Sequence, residues 1–212
     1  MPGVRNSDNA YERIEQMIIH QVVAPGSLVS ESELMQQTGI GRTPVREALQ
    51  RLARNRMVEI HPNKGVLIPP ISVDAELKSL EIRRVLEGLA VRLACLRATD
   101  PERQDMQEML RAIRATRHSL PDYMSTVKGT HDLIARGSHN AFVVDALAPL
   151  QGLSRRFWLA HVRDPEGEIK RAAAHHTKIL RAVLARDQAA AQQASEGLND
   201  YLVDYSTATL TE

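Results

Sequence analysis

Two arginines four residues apart, Arg42 and Arg46, are the side chains best suited to recognising another molecule. Residues at this spacing share one face of a helix, so both guanidinium groups would project from the same side. A guanidinium donates two parallel hydrogen bonds to O6 and N7 of guanine, or to a phosphate. The pair therefore predicts base-edge contacts with DNA from the start of a helix.

Cations are concentrated around this pair, although the whole chain has a formal net charge of only +1. Nucleic-acid binding depends on where cations lie rather than on their total. An alternative interpretation is a solvated helix face in which the arginines pair with Glu47. Between residues 42 and 64 the charged residues are six cations (Arg42, Arg46, Arg51, Arg54, Arg56 and Lys64) and two acids (Glu47 and Glu59).

The sequence around the arginines predicts three short helices. The first covers about residues 11–22, where Ile14, Met17, Ile18 and Val22 follow helical spacing, and Pro25-Gly26 ends it. The second runs from a Ser30 cap, with Glu33 in capping-box position, to about Thr38, and Gly39 supplies the left-handed exit. The third begins near Pro44 with Thr43 as its cap and continues to about Asn55.

Residues 57–70 change to a strand-like pattern. Two short apolar stretches flank a turn at 61–65, which is typical of a β-hairpin. Lys64 and Gly65 at the tip could reach the minor groove or the DNA backbone. Three helices followed by a hairpin predict a winged helix-turn-helix, and Pro69-Pro70 forms a stiff linker. We therefore expect a DNA-binding domain over residues 1–70.

The remaining residues, 71–212, predict an all-α bundle of about six helices, so the protein is mainly α. Few aromatic residues (3%) and leucines spaced 3, 4 and 3 apart at 86, 89, 93 and 96 favour helices. Later helices are expected at about 101–117, 120–137, 141–161, 165–186 and 187–208.

The sequence also favours a cytoplasmic protein that does not associate with a membrane. Cys95, the one cysteine, cannot form an internal disulfide and is expected to be a buried thiol. The first ten residues lack an apolar signal core, and no run approaches the roughly 20 apolar residues of a membrane span.

The segment PGSLVSESELMQQTGIGRTPVREALQRLARNRMVEIHPNKGV resembles the DNA-binding half of GntR-family transcriptional regulators of the FadR type. This resemblance implies a regulator, usually a repressor, that binds a palindromic operator as a homodimer. It also places Arg42, Thr43, Arg46 and Gly65 on operator-contacting positions. Gly41 departs from the Ser or Thr usual there, which would remove a phosphate contact.

Residues 81–90, His131 with Asn140, and His176 with Asp187 resemble the all-helical ligand-binding (FCD) domain of that subfamily. The resemblance implies a divalent metal held by an Asp four residues before the first histidine, by that histidine, by a second, and by a third about 22 residues later. The chain keeps His131 and His176 but has Val127 and Leu198 at the other two positions. Whether a metal is bound thus stays open. Possible substitute ligands are Asp132, His175, Asn199 and Asp200.

Without a metal, His131 and His176 would line a polar cavity. With Arg83 nearby, such a cavity would suit a small organic acid as effector, through charge-assisted hydrogen bonds. The alternative for Arg83 is a surface salt bridge with Glu87, four residues later.

Two other functions compete with a ligand-responsive regulator. A helical metalloenzyme would need a complete ligand set or a nucleophile with a base, and we find neither pattern. A winged helix that contacts protein rather than DNA is the second alternative. We expect no enzymatic activity and no catalytic residues.

Overall fold

The computed structural model describes residues 6–114 and 119–210. Contacts between residues divide the chain into two units. The first extends to Ser72 and also includes residues 152–160, and the second comprises residues 73–151 and those from 161 onward. The domain boundary at residue 70 stays a prediction.

The first unit contains three helices, α1 (Asn6–Ile19), α2 (Glu31–Thr38) and α3 (Arg42–Arg54). The prediction that α1 runs to Val22 and is stopped by Pro25-Gly26 was wrong. The helix ends at Ile19, and Gln21 has a φ of 55°, the left-handed conformation in which helices commonly terminate.

The start and end of α2 confirm the predicted signals. The Ser30 hydroxyl accepts a hydrogen bond from the Glu33 backbone N–H at 3.1 Å, and the Glu33 carboxylate accepts one from the Ser30 N–H at 2.6 Å. Gly39 follows with a φ of 68°. These local contacts set the turn that leads into α3.

Helix α3 starts earlier than predicted. Its cap is Gly41, so Thr43 is the second helical residue and not the cap. Pro44 fits inside the first turn because backbone N–H groups there have no intrahelical acceptor. Arg42 thereby becomes the first residue of the helix.

A three-stranded antiparallel sheet completes the winged helix. Its strands are β1 (Leu28–Val29), β2 (Glu59–His61) and β3 (Gly65–Leu67), in the order β1-β3-β2. Ile60 pairs with Val66 in the predicted hairpin. Strand β1 was not predicted, because two residues are too few to show alternation.

Gly65 is the sterically constrained residue of the wing. Its φ is 127°, and a Cβ there would lie 2.7 Å from the backbone oxygen of Val29. Gly65→Ala is expected to destabilise the protein by about 1–3 kcal/mol, because the side chain would strain the backbone and push β1 and β3 apart. Urea denaturation measures the loss. Lys64→Ala, an exposed neighbour in the same turn, serves as the control, and equal effects of both changes would contradict the steric argument.

An apolar core joins the three helices to the sheet, and it is the scaffold that holds the start of α3 in place. Its buried members are Ala10, Ile14, Ile18, Val23, Leu34, Val45, Ala48, Leu49, Leu52, Met57, Val58, Val66 and Ile68.

Six helices make up the rest of the described chain: α4 (Val73–Arg97), α5 (Asp100–Ile113), α6 (Leu120–Gly137), α7 (Ala141–His161), α8 (Pro165–Leu184) and α9 (Gln188–Ala208). Their number and order confirm the predicted bundle, although the predicted end of α5 at 115–117 lies outside the described residues. Helix α4 packs against α6, α8 and α9, and α8 also packs against α5 and α9. Within residues 6–114 and 119–210, no helix combines the length and apolar character needed to cross a bilayer.

The leucines that predicted α4 do not lie on its buried face. The face turned into the bundle carries Leu80, Arg83, Glu87 and Ala94, all buried. Leu96 on the opposite face is 61% exposed. Helix α4 therefore buries a face that includes charged residues, and its leucine stripe faces away from the bundle.

Candidate DNA-binding and ligand-binding sites

Arg42 and Arg46 lie exposed in the first two turns of α3, the second helix of the helix-turn-helix. The side chain of Arg46 is 65% exposed, and its Nε lies 3.3 Å from a carboxylate oxygen of Glu31 on α2. The partner is thus Glu31 and not Glu47. Exposed ion pairs of this kind contribute only about 0–1 kcal/mol, so Arg46 can exchange this carboxylate for a base edge at little cost.

Another arginine of the cationic segment has a structural role. Arg51 donates to Asp8 at 2.6 Å, and its guanidinium lies 4.5 Å from the centre of the Tyr11 ring. These contacts tie α3 to α1. Arg54, by contrast, is exposed near the end of α3, far from the start of the helix.

The start of α3 is also suited to a phosphate. The first N–H groups of a helix point outward without intrahelical acceptors and carry partial positive charge. Thr43 is exposed beside them and adds a hydroxyl. Gly41 offers no side chain, so the backbone N–H groups and Thr43 would make the phosphate contact.

The wing brings a further cation to its tip. The turn between β2 and β3 closes through a hydrogen bond from the Lys64 N–H to the His61 oxygen at 3.1 Å, with Asn63 at a φ of 62°. Lys64 is exposed next to Gly65. The first unit therefore presents two arginines on a helix start and a lysine on a hairpin tip.

In the helical unit, Arg83 is almost completely buried, with 1% of its surface exposed. One guanidinium nitrogen lies 2.7 Å from Glu87 Oε1, and Gln151 Nε2 donates to the same oxygen at 3.1 Å. The predicted pairing with Glu87 is present, but it is an internal ion pair and not a surface salt bridge. Glu87 Oε2 accepts no hydrogen bond from the described residues.

His131 on α6 and His176 on α8 form a second buried pair. Their Nε2 atoms are 3.2 Å apart, and the ring centres are separated by 5.1 Å. Nδ1 of His176 lies 2.8 Å from the backbone oxygen of Ala172 and 3.4 Å from the Tyr123 hydroxyl. The two histidines, 45 residues apart in sequence, are thus brought into direct contact.

One member of each pair, Glu87 and His131, lines a small cavity of about 20 Å³, which is enough for a water molecule. Arg83 and His176 lie behind these two residues and do not line the cavity. A ligand larger than water would need the lining side chains to move. The residues around it are Glu87, Ala90, Val91, His131, Ile134, Ala135, Leu147, Gln151, Ile179, Ser195 and Leu198.

Burial lowers the pKa of His176 to about 4, an effect only partly offset by the hydrogen bond to Ala172. At neutral pH the ring is therefore uncharged in the folded protein. The His176 ring takes up a proton near pH 6.5 in the unfolded chain, but only near pH 4 in the folded chain. Stability should accordingly fall as pH drops through this window.

We expect protonation of this single histidine to lower the free energy of unfolding by up to about 3 kcal/mol between pH 7 and pH 4. Urea denaturation at a series of pH values measures it, with His176→Gln as the matched variant that cannot titrate. An identical pH dependence in the variant would contradict the assignment.

The donor set does not fit the divalent metal that the FCD resemblance implies. Two imidazoles face each other, but Val127 and Leu198 are buried aliphatic side chains at the positions of the missing ligands. Within residues 6–114 and 119–210, no three His, Cys, Asp or Glu side chains are grouped so that they could hold an ion. Two neutral nitrogens are half of the tetrahedral shell that zinc prefers.

The four possible substitute ligands have other partners. Asp132 accepts from Lys128 at 2.7 Å, and Asp200 pairs with Arg84 at 2.5 Å. Asn199 donates through its side chain to the Leu80 backbone oxygen. His175 stacks on Tyr201, with ring centres 5.2 Å apart.

Sequence reasoning missed two polar residues of the cavity, Gln151 and Ser195. Both are buried. Gln151 follows the core residue Leu147 by four positions and therefore shares its helix face. A polar residue at core spacing, one turn after Leu147, was the available signal for it.

Comparisons with known proteins agree with this geometry. Residues 6–68 match the family described as bacterial regulatory proteins, gntR family, and residues 78–199 match the FCD domain. The HTH-type transcriptional repressor RspR of Escherichia coli K12 is 26% identical over 87% of this chain and 81% of the relative. The Nta operon transcriptional regulator of Aminobacter aminovorans is 40% identical over 41% of each chain.

Two solved structures share the fold. Escherichia coli McbR/YncC superposes with a TM-score of 0.84 at 18% identity, covering 98% of this chain and 100% of the other. A GntR regulator from Rhodococcus sp. RHA1, described as putative, reaches 0.69 at 22% identity over 98% and 99%. The chain belongs to the GntR family of bacterial regulatory proteins and carries an FCD domain, so it is a DNA-binding transcriptional regulator and not an enzyme.

Proposed function

We propose that this regulator is a ligand-responsive repressor that binds a palindromic operator as a homodimer and responds to a small organic acid. The observation that carries the proposal is the exposed pair Arg42 and Arg46 on the first two turns of the recognition helix. In helix-turn-helix proteins this part of the helix contacts base edges in the major groove. Guanine is the base that a guanidinium recognises best.

The remaining DNA contacts follow from the same unit. Thr43 and the free N–H groups of α3 would bind a phosphate, and Lys64 with Gly65 at the wing tip would lie in the minor groove or along the backbone. Phosphate contacts supply affinity and base contacts supply specificity. A match to RspR, which is named as a repressor, supports repression as the outcome.

The exposed apolar face of α4 supports the homodimer. Ile82 and Val85 are 54% and 70% exposed, and Leu96 lies on the same side three turns later. A contiguous exposed apolar stripe on a soluble protein commonly marks an interaction surface. A second copy of the chain is the partner that would cover this face and also present two recognition helices to the half-sites of a palindrome.

The buried groups of the helical unit support an acidic effector. His131 and Gln151 line the cavity, His176 contacts His131, and Arg83 pairs with the lining residue Glu87. Because Glu87 already neutralises Arg83, a bound carboxylate would have to draw Arg83 away from Glu87 or recruit a proton to an imidazole. A coupling of 1–3 kcal/mol between the two sites would change operator affinity by roughly 5 to 150-fold.

Selection of binding sequences from random duplexes, followed by footprinting, tests the DNA part. The expected result is an inverted repeat with half-sites about one helical turn apart. Analytical ultracentrifugation should show that a dimer binds it. Affinity for random duplex should fall steeply with salt, because phosphate contacts release counterions. Salt-insensitive binding without sequence preference would favour the protein-contact alternative.

Thermal unfolding with a panel of organic acids tests the effector, with the corresponding neutral amides as matched controls. An acid that raises the midpoint and changes operator affinity, while its amide does neither, is the expected outcome. If no acid alters stability or operator binding, the organic-acid part of the proposal is wrong.

A further inference from the structure

We propose that His131 and His176 bind each other through a direct hydrogen bond instead of binding a metal ion, and that Val127 and Leu198 exclude the metal from this site. The inference deepens the proposed function, on which it rests for the assignment of this cavity to the effector.

Hydrogen-bond donors and acceptors define the state of the pair. A carbonyl oxygen can only accept, so Nδ1 of His176, 2.8 Å from the Ala172 oxygen, carries a proton. A neutral imidazole has one N–H, which leaves Nε2 of His176 as an acceptor. His131 Nε2, 3.2 Å away, is then the donor. The lone pair with which His176 could bind a metal accepts a hydrogen bond instead.

The separation of the two nitrogens does not by itself exclude an ion. Zinc–nitrogen bonds of 2.0–2.1 Å at the tetrahedral angle put two ligand nitrogens about 3.3 Å apart. The obstacle is the rest of the shell, because Val127 lies one turn before His131 on α6 and Leu198 lines the same cavity. Both side chains are buried hydrocarbon and donate nothing.

Charge works against an ion as well. Glu87, the carboxylate of the cavity lining, already forms an ion pair with buried Arg83. A divalent cation between two neutral imidazoles would therefore keep its full charge in an apolar surrounding, and burial of an uncompensated charge is strongly unfavourable. An effector at this site must be recognised by hydrogen bonds from the protein itself, without coordination to a metal.

Zinc titration of the purified full-length protein tests the inference. The wild-type protein, freed of metal with a chelator, is titrated with Zn²⁺ against a chromogenic chelator, and metal content is measured by elemental analysis. We expect no ion in stoichiometric amount, and no stabilisation beyond that seen with His131→Ala, the control for zinc bound by surface histidines. Val127→Asp/Leu198→His restores a carboxylate and an imidazole, and should bind one Zn²⁺ on the order of 100-fold tighter than wild type or more.

Two results would overturn the inference. One is a wild-type protein that holds one Zn²⁺ per chain and loses it in His131→Ala. The other is a folded double variant, verified by circular dichroism, that binds no zinc. If the double variant does not fold, Leu198→His alone supplies a third imidazole. A zinc affinity of this variant no higher than that of wild type would then contradict the inference.

Operator binding before and after chelator treatment separates this inference from the proposed function. Unchanged operator affinity supports a metal-free site. A protein that binds no operator in either state would contradict the proposed function and leave the zinc result intact.

Discussion

Arg46→Ala is expected to abolish sequence-specific operator binding and to leave the fold intact. Each bidentate arginine–guanine contact is worth about 1–3 kcal/mol, and a dimer would lose two of them, so the affinity for the operator should fall by roughly 100-fold or more. The side chain is 65% exposed and its ion pair is with Glu31 on the surface. Loss of such a pair changes stability by less than about 1 kcal/mol.

Footprinting and gel-shift titration measure the loss, and urea denaturation checks the fold. Arg54→Ala is the matched control, since it removes an equal charge from the exposed far end of the same helix. It should weaken binding to specific and random DNA by the same small factor. An unaltered footprint for Arg46→Ala, or equal losses in the two variants, would refute the assignment of Arg46 to base recognition.

Arg83→Met is expected to cost about 3–5 kcal/mol of unfolding free energy. The guanidinium is buried and lies 2.7 Å from Glu87 Oε1. Its removal leaves the Glu87 carboxylate buried with the uncharged Gln151 amide as a donor, and an uncompensated buried charge is strongly destabilising. A surface salt bridge at the same spacing would contribute well under 1 kcal/mol.

A double-mutant cycle distinguishes the ion pair from simple loss of packing. Arg83→Met/Glu87→Leu removes both charges, so it should regain most of the stability lost in Arg83→Met. Urea denaturation of the four proteins provides the coupling energy. Additive losses would show that the two side chains do not stabilise each other, and the central polar pair of the helical unit would then have been misassigned.

Local sequence signals predicted much of the DNA-binding unit. Ser30, Glu33 and Gly39 determine where α2 starts and ends through contacts within a few residues, so the sequence pattern is enough to place them. The start of α3 was less predictable, because Gly41 offers no side chain as a capping signal and threonine, the residue type at position 43, is a common cap.

The candidate ligand-binding site was predictable only in part. His131 and His176 were identified through the family resemblance, and the structure brings them together as that resemblance implied. Gln151 was not predicted as a site residue, because its partner Glu87 lies 64 residues away in the sequence. No local pattern records such a contact.

The sequence by itself determined the order and type of the helices, the hairpin, and the position of Arg42 and Arg46 at the start of a recognition helix. These features depend on backbone preferences and on side-chain periodicity within one or two turns. The tertiary structure alone decided that Arg83 is buried, that Arg46 pairs with Glu31, and which face of α4 is covered. Those outcomes depend on which distant segments pack together, and the apolar spacing within α4 does not by itself specify which face becomes the core.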